Sequence, residues 1–210
     1  MRCDSKNEGA RHSIPYLRSE ETGTIPSGLR YQPGVISESE ENVLVAELAR
    51  LPLKPFEFHG YLGNRRVISF GLRYDYARRG IEAVDEPPLF LADLRSKVAN
   101  FVGLPETEFR QIGVNEYRPG SGIGWHRDKA EFGVIVGVSL LSAVSMRFRK
   151  RRDKSWIRVS QLLAPRSVYM LSGEARELWE HSIAPVKTLR YSVTFRTLAR
   201  TDPRFRAEVS

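Results

Sequence analysis

Apolar residues that recur every three or four positions predict two amphipathic helices in the first half of the chain. The first begins at a capping box, in which Ser37 is the N-cap and Glu40 reaches back to it, and Pro52 stops it. The second follows Pro87-Pro88, and Gly103 suits the position just after its end. The apolar stripes are Val43, Leu44, Leu48 and Leu51, then Leu91, Leu94, Val98 and Phe101. We expect both helices to pack against a core.

From about residue 110 the pattern changes to short, β-rich segments separated by Gly, Pro, Ser or charged residues. These segments are 110–118, 133–141, 144–150, 156–160, 167–171, 179–184 and 190–198. Many short strands with turn residues between them are typical of a β-sandwich or barrel. The expected fold class is therefore α+β, mainly β, with N-terminal helices bracing the sheets. Residues 1–24 are polar without periodicity and predict a flexible tail, which leaves 25–210 as a single domain.

The composition narrows the class of protein. At 210 residues the chain is long enough for one domain with a full core. Its longest apolar run, Phe132 to Leu141, is far shorter than the ~20 residues of a membrane span, and no signal peptide is recognised. With Cys3 as the single cysteine, no intrachain disulfide can form, which fits a reducing compartment. We therefore expect a cytoplasmic monomer without membrane contact.

The net charge of +8 indicates a polyanionic partner, although colloidal solubility explains such a charge equally well. Six cations fall between Arg147 and Lys154. In Met146-Arg147-Phe148-Arg149 apolar residues alternate with arginines, as in a strand with one buried and one solvated face. A charged turn follows before Trp156. The segment predicts a basic hairpin tip, and a ridge that binds a nucleic-acid backbone and a merely solvated turn remain equal alternatives.

Two histidines and a carboxylate form a candidate metal site. His126 and Asp128 are two positions apart, so on an extended segment both side chains lie on one face. His181 follows 181 − 128 = 53 residues later. This ligand set holds non-haem Fe(II) and leaves positions open for substrate and oxygen. A solvated His-Asp pair on a loop is the alternative that the spacing alone leaves open.

Arg190 and Arg196 suggest an anion site beside the metal. They are six residues apart, an even number, so on a strand they point to the same side, with Cα atoms roughly 20 Å apart. Inward-leaning guanidinium groups suit a dicarboxylate, since their planar forks bind carboxylates bidentately. Two arginines on the exposed face of an amphipathic strand are the alternative.

In order and spacing these segments resemble the AlkB family of Fe(II)- and 2-oxoglutarate-dependent dioxygenases. The resemblance covers roughly residues 55–198. The matching motifs are Asn115-X-Tyr117, Pro119-Gly120, His126-X-Asp128, Val138-Ser139-Leu140, Trp179-Glu180-His181 and Arg190-Tyr-Ser-Val-Thr-Phe-Arg196. The resemblance implies a double-stranded β-helix, or jelly-roll, core braced by the N-terminal helices.

The resemblance also implies a role for each motif. The Fe(II) ligands would be His126, Asp128 and His181, with no further catalytic residue. The 2-oxoglutarate ligands would be Asn115, Tyr117, Arg190 and Arg196. Of these, Arg190 would bind the distal carboxylate and Arg196 the carboxylate next to the keto group. With O2, the family hydroxylates a carbon, often an N-methyl group that leaves as formaldehyde, and forms succinate and CO2.

Residues 60–76, within a lid at about 55–80, resemble the family's nucleotide-recognition lid. Aromatic residues there can stack on an unpaired base, and Arg65, Arg66 and Arg73 can meet phosphate. The candidate substrate-binding residues are Arg66, Phe70, Tyr74, Tyr76 and Lys129. An ordinary amphipathic hairpin and, for Lys129, a solvated lysine are the alternatives. A base inside a duplex is unreachable, so the expected substrate is single-stranded or flipped out.

One position departs from the family pattern. Several DNA-repair members carry an acidic residue two positions beyond the metal aspartate, where this chain has Ala130.

We expect oxidative demethylation of alkylated bases in DNA or RNA. The alternatives are the same chemistry on a protein or small molecule, and a metal-free jelly-roll binding module.

Overall fold

The computed structural model describes residues 25–58 and 61–199. The predicted tail at residues 1–24, and residues 200–210 of the predicted domain, lie outside the described residues. No helix in the described ranges is long and apolar enough to cross a membrane.

The two predicted helices are present. Helix α1 spans Glu38–Leu48 and has the predicted capping box: the Ser37 hydroxyl accepts from the Glu40 amide, and the Glu40 carboxylate accepts from the Ser37 amide. It ends earlier than expected, since Leu51 lies beyond its last turn. Helix α2 spans Ala92–Val102 and ends at Gly103 in the left-handed conformation (φ 80°), which glycine adopts without a Cβ penalty. A short helix, α3, spans Gly173–Glu177.

Thirteen strands lie in the described ranges, more than the seven that the sequence pattern predicts. They are β1 Leu29–Gln32, β2 Lys54–Phe58, β3 Tyr61–Phe70, β4 Leu72–Asp75, β5 Gly80–Ala83, β6 Gln111–Tyr117, β7 Ile123–His126, β8 Phe132–Leu140, β9 Val144–Arg152, β10 Ser155–Leu163, β11 Ser167–Leu171, β12 Glu180–Ile183 and β13 Arg190–Leu198. The predicted segments correspond to β6 and β8–β13.

The strands form two main sheets, and every pairing within them is antiparallel. The large sheet has the order β1-β11-β8-β13-β6-β3-β2, and the small sheet has the order β10-β9-β12-β7. Strands β4 and β5 form a separate hairpin. The predicted fold class is confirmed: the chain is an α+β, mainly β protein with a jelly-roll core and bracing N-terminal helices.

Two apolar clusters hold these layers together. One joins α1 and α2 to the outer face of the large sheet, where Leu48 and Val98 meet Val193 and Phe195. The other lies between the two sheets and includes Phe148 of the small sheet. Side chains alternate along a strand, so a residue of the large sheet faces either the helices or the small sheet. We call these the helix-facing and the site-facing sides.

Candidate metal and co-substrate site

His126 and His181 are brought together by strand pairing. His126 ends β7, His181 lies on β12, and the two residues are direct cross-strand partners with ring centroids 4.3 Å apart. Asp128 follows β7 by two residues. One ligand atom from each of the three side chains lies within 4.8 Å of the others, close enough to share one metal ion.

The two imidazoles are neutral and partly oriented for metal binding. His126 Nδ1 lies 2.9 Å from the Gly124 carbonyl oxygen, which as an acceptor favours a proton on Nδ1 and leaves Nε2 free as a ligand. Burial lowers the pKa of His126, and it lowers the pKa of His181 to about 4 despite the nearby Asp128 carboxylate. Metal ligation requires the neutral ring, so both histidines are ready to bind at neutral pH.

Asp128 is held ionised by Arg196. Arg196 Nε and Nη2 donate to Asp128 Oδ1 at 3.2 and 3.0 Å, and Arg196 Nη1 donates to Gln111 and Thr194. Burial alone would raise the pKa of Asp128, but the Arg196 guanidinium outweighs burial and keeps that pKa well below its usual range. His181 Nε2 lies 3.5 Å from Asp128 Oδ2.

Arg190 carries unused hydrogen-bonding capacity. Its side chain is 1% exposed, and its Nη2 donates to the Ser139 hydroxyl at 3.1 Å. Nε and Nη1 are buried without a hydrogen-bond partner, and the guanidinium carbon lies 5.0 Å from the centroid of the Tyr117 ring. A buried, half-satisfied cation is expensive unless an anion completes its hydrogen bonds.

Two glycines of the large sheet allow side chains of the site-facing side to pack close against its backbone. A Cβ at Gly137 would lie 2.3–2.4 Å from ring atoms of Tyr169, and a Cβ at Gly113 would lie 2.8 Å from Thr194 Oγ1. Register places Asn115 beside Ser192, and Tyr117 beside Arg190 on the same side of the large sheet. The site-facing side therefore joins the metal ligands, Asn115, Tyr117, Arg190 and Arg196 in one cluster.

The residues of this cluster fit Fe(II) and 2-oxoglutarate. The three ligand side chains supply the facial two-histidine, one-carboxylate set, and the open donors of Arg190 suit the far carboxylate of a dicarboxylate that reaches the metal. Arg196 already holds Asp128, a contact that the sequence did not predict.

Part of the predicted substrate surface also lies at this site. Lys129 Nζ is 4.5 Å from the centroid of the Tyr74 ring and 4.7 Å from that of Tyr76. The two tyrosine rings meet edge to face at 5.1 Å, and Phe56 packs against Tyr76. Arg73 instead pairs with Glu82 on the β4–β5 hairpin. A cation and two aromatic rings thus lie beside Asp128, the candidate metal carboxylate.

The structure does not bring Arg66 and Phe70 to the site, which corrects two of the predicted substrate contacts. Both lie on the helix-facing side of β3: Arg66 pairs with Glu116 at 3.0 Å, and Phe70 is 6% exposed in the helix-facing core. The physical reason is the two-residue period of a strand, which alternates the faces of neighbouring residues.

Arg65 is the site-facing neighbour of Arg66. Its Nη1 donates to Asn115 Oδ1 at 3.1 Å, and its guanidinium carbon lies 4.5 Å from the centroid of the Phe56 ring and 5.9 Å from that of Tyr117. The predicted strand at 110–118 already put Asn115 and Glu116 on opposite faces, but the register of β3 against it was not readable from the sequence.

No pattern in the sequence predicted a role for Arg176 near the site. It lies buried on α3 and donates to the backbone carbonyls of Lys129 and Phe132, so it fixes the loop that follows Asp128. A single arginine in a short helix gives no signal in the sequence that would mark this role.

Comparison with known proteins agrees with the geometry. Residues 28–196 match the family model described as the 2OG-Fe(II) oxygenase superfamily. The mouse "tRNA (carboxymethyluridine(34)-5-O)-methyltransferase ALKBH8" is 30% identical over 169 residues, which are 78% of this chain and 25% of that protein. The Arabidopsis thaliana "Alkylated DNA repair protein ALKBH8 homolog" is 29% identical over 196 residues, 81% of this chain and 54% of the relative. The chain thus spans between a quarter and about half of the length of these relatives.

A solved structure, that of OsALKBH1, shares the fold with a TM-score of 0.64 at 16% identity, over 87% of this chain and 100% of the other. The chain belongs to the 2OG-Fe(II) oxygenase superfamily. Within it, the chain is similar in sequence to the two ALKBH8 proteins named above and in fold to OsALKBH1. The cofactors of the domain are those of the family: Fe(II), 2-oxoglutarate and O2.

Proposed function

We propose that the chain is a dioxygenase that demethylates alkylated bases in nucleic acid and releases formaldehyde, succinate and CO2. The observation that carries the proposal is the group formed by Lys129, Tyr74 and Tyr76 beside the metal aspartate. Tyrosine rings stack on unpaired bases irrespective of sequence, and a lysine contacts phosphate. The relatives' names, which mention transfer RNA and alkylated DNA, support the same substrate class.

The chain's own residues place the reactants. His126, Asp128 and His181 would hold the metal, Arg190 would bind the distal carboxylate of the co-substrate, and Asn115 and Tyr117 would hydrogen-bond to it. Fe(II), 2-oxoglutarate and O2 together supply the oxidising chemistry, in which each turnover places one oxygen atom on a methyl carbon and one in succinate. Arg196 keeps the Asp128 carboxylate ionised and oriented.

The product of N-methyl hydroxylation breaks down to formaldehyde and the unmethylated base. Enzymes of this kind must take the base out of the stack or act on a single strand. In this proposal the tyrosine pair and Lys129, which lie beside Asp128, would receive such an unpaired nucleotide. A monomer acting in the cytoplasm remains part of this proposal.

Incubation of the full chain with Fe(II), 2-oxoglutarate and a methylated single-stranded DNA or RNA tests the proposal. We expect formaldehyde and succinate in equal amounts, with none from the unmethylated strand or from the His181→Ala variant. Absence of formaldehyde from every methylated DNA and RNA tested would overturn it.

A protein or small-molecule substrate is the second candidate. Ala130 is exposed two residues beyond Asp128, where several DNA-repair members of the AlkB family have an acidic residue that faces the base. This candidate predicts that succinate formation is slow and does not respond to any nucleic acid.

A further inference from the structure

The outer face of the small sheet carries a ladder of arginine and tryptophan side chains. His126, Phe148 and Val159 point inward on β7, β9 and β10, so their sequence neighbours point outward. We call these outward residues the arginine–tryptophan face; they are Trp125, Arg147, Arg149, Arg151, Trp156 and Arg158.

Cations and rings alternate along this face. The guanidinium carbons of Arg147 and Arg149 lie 5.2 and 4.6 Å from the centroid of the Trp125 ring. Those of Arg149 and Arg151 lie 4.2 and 5.5 Å from the centroid of the Trp156 ring. Each tryptophan thus lies within cation–π distance of two arginines. Such stacking restricts the arginines and lowers the entropy that they lose when they bind a ligand.

The charge of the face is strongly positive. Four arginines stand against Glu180, which pairs with Arg149. Arg147, Arg151 and Arg158 are exposed. The segments outside the described residues do not match this charge: residues 1–24 contain four cations and four anions, and residues 200–210 contain three cations and two anions. The complementary occupant is a polyanion rather than either end of this chain.

We propose that the arginine–tryptophan face binds the phosphate backbone of a nucleic-acid strand outside the reacting nucleotide, an inference that rests on the proposed function. Arginine forks match phosphate oxygens, and the tryptophan rings offer stacking to unpaired bases. The path is short, because Trp125 precedes the metal ligand His126 on β7, the edge strand of the small sheet. A strand that leaves the metal site over this edge reaches the face.

The test compares two double variants of the full chain that each remove two positive charges. Arg147→Gln with Arg151→Gln changes the face, whereas Arg50→Gln with Lys97→Gln changes cations on the helix side that pair with Glu47 and Glu40. Binding of unmethylated 20-nucleotide and 5-nucleotide single strands is measured by fluorescence anisotropy at several salt concentrations. Formaldehyde release from a methylated 5-nucleotide strand and thermal unfolding are measured in parallel.

We expect the face variant to bind the 20-nucleotide strand roughly ten-fold more weakly at 0.1 M salt, with a salt slope smaller by about 1.4 for two lost phosphate contacts. The control variant should bind like the wild type, and demethylation of the 5-nucleotide strand should be unchanged in both. Equal binding by the two variants, or a lower melting temperature without weaker binding, would overturn the proposal. No demethylation with a persisting difference in binding would overturn the proposed function alone.

Discussion

The buried charged groups on the two sides of the large sheet differ in how fully their hydrogen bonds are satisfied. On the helix-facing side Glu116 is 4% exposed and accepts from Arg66 at 3.0 Å, Arg118 at 2.8 Å and the Tyr191 hydroxyl at 2.9 Å. On the site-facing side Arg190 is buried with two donor nitrogens unsatisfied. A buried network whose hydrogen bonds are all made stabilises the fold, whereas buried donors without acceptors are available to bind a ligand. Neighbouring residues of the same strands therefore serve stability on one side and function on the other.

The largest effect expected on the site-facing side follows His181→Ala. Removal of one of three metal ligands should abolish stoichiometric Mn(II) or Fe(II) binding and turnover, a larger loss than the roughly 10–100-fold caused by removing an outer partner. Equilibrium dialysis with Mn(II) measures this. Tyr191→Phe, a helix-facing change, is the control and should bind metal like the wild type. Stoichiometric binding by His181→Ala would remove the metal site from the account.

On the helix-facing side, Glu116→Ala should destabilise the fold by about 1–3 kcal/mol, because it leaves the Tyr191 hydroxyl and the partly exposed Arg66 without their carboxylate partner. Urea unfolding measures this loss. The KM for 2-oxoglutarate of the folded variant should stay unchanged. A raised KM at unchanged stability would break the division between the two sides.

Arg65 and Arg66 are sequence neighbours that face opposite sides of the large sheet. Arg66→Gln should lower stability by about 1–3 kcal/mol without a kinetic effect. Arg65→Gln should raise the KM for 2-oxoglutarate by up to about ten-fold, because Asn115 loses the group that orients its side chain. Steady-state kinetics and urea unfolding of both variants provide the measurement, and the reverse assignment of effects would contradict the strand register.

The smallest effect concerns pH. Burial would raise the pKa of Glu116, but hydrogen bonds from Tyr191 and Arg66 lower it below the usual 4.5. A carboxyl whose folded pKa is depressed contributes stability above its unfolded pKa and loses it as pH falls through the folded pKa. Unfolding free energies between pH 7 and 3 should therefore decline less steeply in Glu116→Gln than in the wild type. Parallel curves would show that Glu116 is not coupled to folding.

Much of this arrangement was predictable from the sequence. The helices followed from apolar periodicity and the Ser37 capping box. Motif spacing and the family resemblance together singled out the candidate metal and co-substrate residues, whose binding roles stay predictions. Strands β1–β5 and β7 were not predicted, since their ends and partners depend on long-range pairing rather than on local pattern. The same limit explains the error over Arg66 and Phe70, whose face depends on the register of β3 against β6.

Arg190→Met tests whether the unsatisfied donors of Arg190 on the site-facing side bind 2-oxoglutarate. Calorimetric titration of the Mn(II)-loaded protein with 2-oxoglutarate should show one site in the wild type and an affinity at least roughly 30-fold weaker in the variant. Urea unfolding of the metal-free variant should show unchanged or greater stability, because an unpaired buried charge is gone. Wild-type affinity together with a loss of stability would show instead that Arg190 serves the fold, and would contradict the account.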